Sequence, residues 1–192
     1  MNMEVFDIII IGAGAAGLTA GIYSARSKRK TLILDRKRPG GQAGTTERLE
    51  NYPGFPGGTG GKKLMNLFRD QSLEMGSIIE KGKVASITES GDFYLINTSK
   101  GKEFRCKSVI LAPGSKPRQL GIKGEEEFSG RGVSYCATCD GWFFKDKAVV
   151  VVGGGDSALE EGIFLTRYAT TVKIIHRRDE LRGSKILQER AF

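Results

Sequence analysis

Phe6-Asp7-Ile8-Ile9-Ile10-Ile11-Gly12-Ala13-Gly14-Ala15-Ala16-Gly17 is a short apolar run that breaks into a glycine turn and then into a helical pattern. An apolar run of that length, ending in glycines, fits a buried strand of a parallel sheet. The segment from Ala15 to about Ser27 reads as the helix, and Thr31-Leu32-Ile33-Leu34 as the next strand. In a strand–turn–helix unit of this kind the first glycine permits the tight turn and the second lets backbone amides approach a pyrophosphate. The third lets helix and strand pack closely, and the helix N-terminus meets the phosphates with its partial positive charge. A bare glycine pattern carries little information, but here both flanking elements are present. Asp35 ends the second strand, near the roughly 20-residue offset at which an acid binds a ribose hydroxyl.

The arrangement occurs again. Ala148-Val149-Val150-Val151-Val152 is a second apolar run, Gly153-Gly154-Gly155-Asp156-Ser157-Ala158 a second turn, Asp156 to Tyr168 a helix and Thr171 to Ile175 a strand. Ala158 replaces the third glycine, a tolerated variant. His176 follows Gly153 at the spacing by which Asp35 follows Gly12, so the two sites differ at one informative place. The first offers a carboxylate, which would repel a 2′-phosphate. The second offers His176-Arg177-Arg178 and then Arg182, guanidinium groups that pair with one. The first site is therefore expected to hold a nucleotide with a free ribose hydroxyl and the second NADPH; the bland reading of the second cluster is a solvated basic face.

Between the two units the chain carries a glycine- and proline-rich loop over 39–61, a helix over about 62–75, and an apparent antiparallel hairpin of Lys83–Thr88 and Phe93–Thr98. Val109–Leu111 reads as a returning buried strand, followed by a polar linker over 116–132. We place the domain boundary near the start of that linker, giving segments 1–116 and 117–192. The last helical pattern is Ser184–Phe192. The whole reads as an α/β protein built on two dinucleotide-binding units.

Ser134-Tyr135-Cys136-Ala137-Thr138-Cys139-Asp140-Gly141 lies between the two fingerprints. Cysteines separated by two residues can close and reopen a small ring, which suits reversible two-electron chemistry. A zinc site needs about four ligands, and this chain has three cysteines and one histidine, so metal is not expected. Asp140 is a candidate proton donor to a thiolate, with a helix-capping or surface aspartate as the equally weighted alternative; Cys106 reads as a small packed residue. The net charge of +8 invites a nucleic-acid reading, but the basic clusters lack interleaved aromatics and a binding motif, so phosphate-bearing cofactors explain them at least as well. No apolar run approaches the roughly 18 residues of a membrane span, and no basic region precedes the first strand, so a cytoplasmic protein is expected.

These motifs together resemble the bacterial-type, low-molecular-weight thioredoxin reductases. Gly12–Gly17, Gly40-Gly41-Gln42, Glu50-Asn51-Tyr52-Pro53-Gly54-Phe55, Cys136–Gly141, Gly153–Ala158 and His176–Arg182 match that family in order and spacing, and Cys-Ala-Thr-Cys-Asp-Gly is the most specific part. The resemblance implies two Rossmann-like FAD/NAD(P)-binding units of three-layer type, the second inserted in the first. It implies electron flow from NADPH to FAD to the Cys136–Cys139 disulfide to thioredoxin, in a homodimer. FAD would sit on Gly12, Gly14, Ala15, Gly17 and Asp35, with Gly41, Gln42 and Asn51 near it. NADPH would sit on Gly153, Gly155, Asp156, Ser157, His176, Arg177, Arg178 and Arg182. Cys139 would face the flavin, Cys136 would attack the thioredoxin disulfide and Asp140 would handle the proton. The family swings one domain against the other, and Lys116–Gly121 is the position of a hinge strand.

Two departures stand out. Ala112-Pro113-Gly114 has proline where the family has threonine, which removes an amide donor beside the expected flavin site. The family also continues well past the position of Phe192, completing the NADPH domain and returning to the FAD domain with a Gly-Asp element. The chain is therefore expected to be an incomplete one that holds FAD poorly by itself. Sister activities, a peroxiredoxin reductase or a flavin dithiol oxidase, and a non-catalytic nucleotide-binding fragment are the other readings.

Overall fold

The computed structural model describes residues 4–192, which divide into two compact units meeting between Lys116 and Pro117. In the first unit β1 (Val5–Ile11), α1 (Ala15–Arg26) and β2 (Thr31–Asp35) form the expected strand–helix–strand unit. α2 (Gly61–Glu74) leads into β3 (Ile78–Lys81), and β4 (Val84–Ser90) and β5 (Phe93–Thr98) make the hairpin before β6 (Glu103–Leu111) returns. The strands form one six-stranded sheet in the order β3-β2-β1-β6-β5-β4. β3, β2, β1 and β6 run parallel, while β5 pairs antiparallel with β6 and with β4.

Central position explains the apolar run Ile8–Ile11 of β1, which only Asp7 separates from Val5 and Phe6. Ile9 packs on one face with Phe6, Leu32, Leu34, Ile96, Phe104 and Cys106, and Ile10 on the other with Ala13, Leu18 and Ile33. Each face of β1 and β2 thus has its own core, and neither strand can alternate with polar residues. Cys106 is fully buried and unpaired in the first of these clusters, and burial pushes its thiol up.

Two elements were not legible in the sequence. β3 has four residues and β6 has nine, of which only Val109–Leu111 is expected from composition. The N-terminal part of β6 alternates the charged Glu103, Arg105 and Lys107 with Phe104 and Cys106, and only Phe104 and Cys106 are buried.

In the second unit the cysteine segment forms a single turn of helix, α3 (Ala137–Asp140), continued by a 3-10 turn over Gly141–Phe144. β7 (Ala148–Val152), α4 (Asp156–Leu165) and β8 (Thr171–Ile175) follow, the two strands pairing in parallel, and α5 (Lys185–Ala191) packs on α4. The expectation that Ala148–Val152 is buried is corrected here. Val149 and Val151 are half-buried, but Val150, Val152 and Ile175 are about half exposed, because α4 covers one face of a two-stranded sheet and the other face is open. Among the described residues no helix is long and apolar enough to cross a membrane.

Candidate functional site

The first glycine turn is built by close backbone approach. Gly12 has φ +109°, and a Cβ there would run into the Ala112 carbonyl; a Cβ on Gly17 would run into the Gly12 carbonyl oxygen. Gly14 differs: it is the N-cap of α1, no side chain caps the helix, and a Cβ would meet nothing closer than Gly41 Cα at 3.8 Å. The tight turn and close packing thus account for Gly12 and Gly17, while Gly14 leaves space beside uncapped amides. That is the space an approaching anion requires.

Neighbouring residues are drawn to this turn through Ala13. The Ala13 N–H donates to Asp35 Oδ2 at 2.6 Å, and the Ala13 carbonyl accepts from the Gly40 N–H at 2.8 Å. Asp35 Oδ1 accepts from the Lys37 N–H at 2.8 Å, so each oxygen of this carboxylate already holds a backbone amide. Gly41 lies beside Gly14 with φ +57°, and Gln42 Nε2 donates to the Ser115 carbonyl at 2.6 Å, tying the loop to the turn after β6. Pro113 is part of that turn, and its Cα would lie 3.3 Å from a Cβ on Gly12. Gly12, Gly14, Ala15, Gly17, Asp35, Gly41 and Gln42 therefore share one locality. Asn51 is exposed in a bend after the Leu49–Thr59 bridge, and its side chain makes no hydrogen bond among the described residues.

The second turn follows the same plan with different partners. A Cβ on Gly153 would meet Ala158 Cβ at 2.8 Å, so Ala158 packs where a third glycine would. Gly155 is the uncapped N-cap of α4 and has nothing within 4 Å of a Cβ, which leaves the same open cradle as Gly14. Gly154 stands where Ala13 stands in the first turn, and a Cβ on it would lie 2.6 Å from the His176 ring. The ring of His176 thus lies on the turn itself, with Nε2 buried and unpartnered. Arg177, Arg178 and Arg182 are exposed, and none has an ion-pair partner among the described residues. Asp156 and Ser157 open α4; Asp156 Oδ1 accepts from the Ser184 N–H at 2.6 Å.

Cys136 and Cys139 form a disulfide with Cα atoms 5.3 Å apart, spanning the single turn of α3. Cys136 is half-buried and Cys139 exposed. Ser134 ties the segment together: its Oγ donates to Asp140 Oδ2 at 2.6 Å and accepts from the Cys136 N–H at 3.1 Å. The Asp140 carboxylate is thereby held to the backbone that carries Cys136. Two neighbouring acids escaped the sequence reading. Glu125 accepts from the Leu120 N–H at 2.8 Å, the Tyr135 hydroxyl at 2.7 Å and the Gly121 N–H at 2.6 Å. The Leu120 amide first, then the Tyr135 hydroxyl, hold its carboxyl below the ordinary glutamate range, and the same bond pushes the Tyr135 phenol up.

Glu161 on α4 is pushed up by burial, opposed by a hydrogen bond from the Ala137 amide beside Cys136. In the sequence Glu125 sits in a run of three acids that reads as solvated, and Glu161 is one of a pair on a helix; only packing distinguishes either. Trp142 and Phe143 are the other omission. They follow the dithiol and are 66% and 72% exposed, although large aromatics ordinarily seek burial. Trp142 stands edge-on to Tyr168 with Lys145 over its ring.

Residues 6–191 match the model of the pyridine nucleotide-disulphide oxidoreductases. Curated thioredoxin reductases of Bacillus subtilis and Listeria monocytogenes are each 47% identical to the chain over 189 residues, covering 98% of it. The chain spans 59% of the length of those relatives. Among solved structures, Lactococcus lactis thioredoxin reductase superposes with a TM-score of 0.93 at 47% identity, over 96% of this chain and 60% of that one. T. acidophilum thioredoxin reductase gives 0.91 at 36% identity, over 97% and 60%. Two glycine turns with open N-cap positions, a disulfide in one helical turn and a match over nearly the whole sequence lead to one conclusion: the chain belongs to the pyridine nucleotide-disulphide oxidoreductase family.

Proposed function

We propose that this chain carries the nucleotide fingerprints and the redox dithiol of an NADPH-dependent, FAD-containing thioredoxin-disulfide reductase. The observation that carries the proposal is the Cys136–Cys139 disulfide, closed within one helical turn, in a unit that also presents an uncapped glycine turn and three exposed arginines after the following strand. The match to thioredoxin reductases of two bacteria supports the choice of substrate.

In this reading residues 1–116 hold FAD through Gly12, Gly14, Ala15, Gly17, Asp35, Gly41, Gln42 and Asn51. The open position at Gly155 leaves helix amides accessible to the pyrophosphate of NADPH, and the open position at Gly14 leaves them accessible to that of FAD. Bound there, FAD would relay electrons from NADPH to the disulfide. Residues 117–192 hold NADPH through Gly153, Gly155, Ser157, His176, Arg177, Arg178 and Arg182, with Asp156 opening α4 beside them and the guanidinium groups answering the 2′-phosphate.

The chain's own thiol chemistry follows from the dithiol state. Two electrons entering the disulfide break its S–S bond and leave two sulfurs that take up protons or remain thiolate. Cys136, as thiolate, attacks one sulfur of the partner's disulfide and expels the other as a thiolate, giving a mixed disulfide. Cys139 then attacks Cys136, re-forming the intramolecular bond and releasing the partner with both sulfurs reduced. Asp140, anchored by Ser134, gives and takes the proton of that exchange. The exposed Trp142 and Phe143 offer a protein partner an apolar contact next to the reacting sulfurs.

A homodimer and a cytoplasmic location belong to the same proposal and rest on the family resemblance. The test is made on the full-length protein: flavin absorbance, NADPH oxidation coupled to thioredoxin reduction, and loss of that coupling in both Cys136→Ser and Cys139→Ser. Protein without flavin, or coupling that survives both substitutions, refutes the proposal.

A further inference from the structure

Asp156 presents a problem of charge. It opens α4 at the end where the proposed pyrophosphate would sit, and a carboxylate turned toward an anion would repel it. Its favourable position at a helix N-terminus does not remove that conflict. The structure shows where the carboxylate is used instead: Asp156 Oδ1 accepts the Ser184 N–H at 2.6 Å, from a residue just after the basic loop.

That bond is the last of three in a row. The Arg182 N–H and the Gly183 N–H both donate to the Gly154 carbonyl, at 2.6 and 3.0 Å. Three consecutive amides of residues 182–184 are therefore clamped onto the glycine turn and its first helical residue. Gly183 is buried under the clamp. A Cβ there would run into Leu159 Cδ1 and come within 3.3 Å of Asp156 Oδ1. From α5, Gln188 Nε2 donates to the Gly183 carbonyl at 2.7 Å. The loop that bears Arg182 is thus fixed by backbone bonds while the Arg182 side chain remains exposed, with no ion pair among the described residues.

The first turn is held differently, by a single loop amide: the Gly40 N–H donates to the Ala13 carbonyl at 2.8 Å, and no carboxylate on the first turn of α1 takes a further one. There Ala13 replaces Gly154, and its amide is taken by the Asp35 carboxylate.

We propose that Asp156 is a positioning residue for coenzyme choice: by holding Ser184, it fixes the backbone of Arg182 against the glycine turn and so sets the preference for a 2′-phosphorylated adenosine. The inference rests on the reading that the second unit binds NADPH, and it assigns Asp156 to the loop rather than to the nucleotide. An isolated arginine on a loose loop would have to be ordered on binding; a clamped one is ordered beforehand.

The experiment measures affinities of 2′,5′-ADP and 5′-AMP by calorimetry on the full-length protein, as wild type, Asp156→Ala, Asp156→Asn, Ser184→Pro and Arg182→Ala. Ser184 has φ −57°, which proline adopts, so Ser184→Pro deletes the same bond from the donor side. In Asp156→Ala and Ser184→Pro the ratio of 2′,5′-ADP to 5′-AMP affinity is expected to fall about tenfold, as expected for losing one hydrogen bond to a charged acceptor. Asp156→Asn keeps an acceptor oxygen and retains most of the ratio. Adding Asp156→Ala to Arg182→Ala lowers it no further, because the two act through one group. Hydrogen exchange at the Ser184 amide rises in Asp156→Ala.

A ratio unchanged in Asp156→Ala, affinities for both ligands that fall in parallel, or an additive double variant overturns the positioning role. If the wild type itself shows no preference for 2′,5′-ADP and Arg182→Ala changes nothing, the NADPH reading has failed instead.

Discussion

Gly14 and Gly17 stand in one turn, yet alanine costs the fold very different amounts at the two positions. At Gly17 alanine gains about 1 kcal/mol of helix propensity. Against this, its Cβ runs into the Gly12 carbonyl oxygen, with Ile10 Cγ2 at 3.4 Å behind it. Overpacking costs roughly 1–3 kcal/mol, and the upper end applies because a backbone carbonyl has no rotamer to escape into. The net loss is about 2 kcal/mol, or a Tm lower by roughly 10 °C for a unit of this size. At Gly14 the nearest atom to a Cβ is 3.8 Å away and the backbone is extended, with φ −79°. Replacing an N-cap glycine by alanine costs less than about 1 kcal/mol, and stiffening the unfolded chain returns part of it. Gly14→Ala is therefore expected to melt within a few degrees of wild type. Its methyl group fills the space at the helix amides, so the full-length variant is expected to lose FAD. Thermal melting and the ratio of flavin to protein absorbance check both. A Gly14→Ala protein that keeps stoichiometric FAD, or a Gly17→Ala protein as stable as wild type, refutes the reasoning.

Three further outcomes follow from the second unit. Ser134→Ala removes the hydroxyl that holds Asp140; thioredoxin reduction is expected to slow about fivefold, the worth of one hydrogen bond of roughly 1 kcal/mol, and an unchanged rate in stopped-flow would count against Asp140 as the acid. Glu125 has its carboxyl held below the ordinary value of 4.5, chiefly by the Leu120 amide. Its contribution is complete above pH 4.5 and is lost as pH falls through the depressed folded value. Glu125→Gln is thus expected to speed tryptic cleavage at Arg118 and Lys123 at neutral pH, and a variant as resistant as wild type would show the anchor to be idle.

Glu161 has the opposite sign: burial raises its carboxyl above the ordinary 4.5, so charging it costs stability above the folded value, and that cost disappears below the unfolded one. Glu161→Gln, which still accepts from the Ala137 amide, is expected to raise the Tm at neutral pH and to match wild type near pH 4. A lower Tm at pH 7 would sink this account.

Several features were fully legible in the sequence, for reasons of local chemistry. Gly12 and Gly153 are needed by the backbone, whatever surrounds them. The apolar runs Ile8–Ile11 and Leu32–Leu34 are continuous because both faces are covered. The paired cysteines at a separation of three lie in one helical turn and meet without help from the rest of the fold. β3 and the N-terminal part of β6 were hidden because a four-residue strand, or one with a charge at every second place, has no signal without its neighbours.

What the sequence alone determined is the order of the parts: a glycine turn with an acid after it, a dithiol, and a glycine turn with arginines after it. Spacing along a chain is enough for that, since each motif is satisfied by its own backbone. What only the tertiary structure decided is how each polar group is spent. Asp35 holds Ala13, Asp156 holds Ser184, Ser134 holds Asp140 and Glu125 holds the Leu120 amide. A carboxylate or hydroxyl in a string of letters has several partners within reach. Its choice is made by which amides the packed chain leaves without another acceptor, and that is a property of the fold.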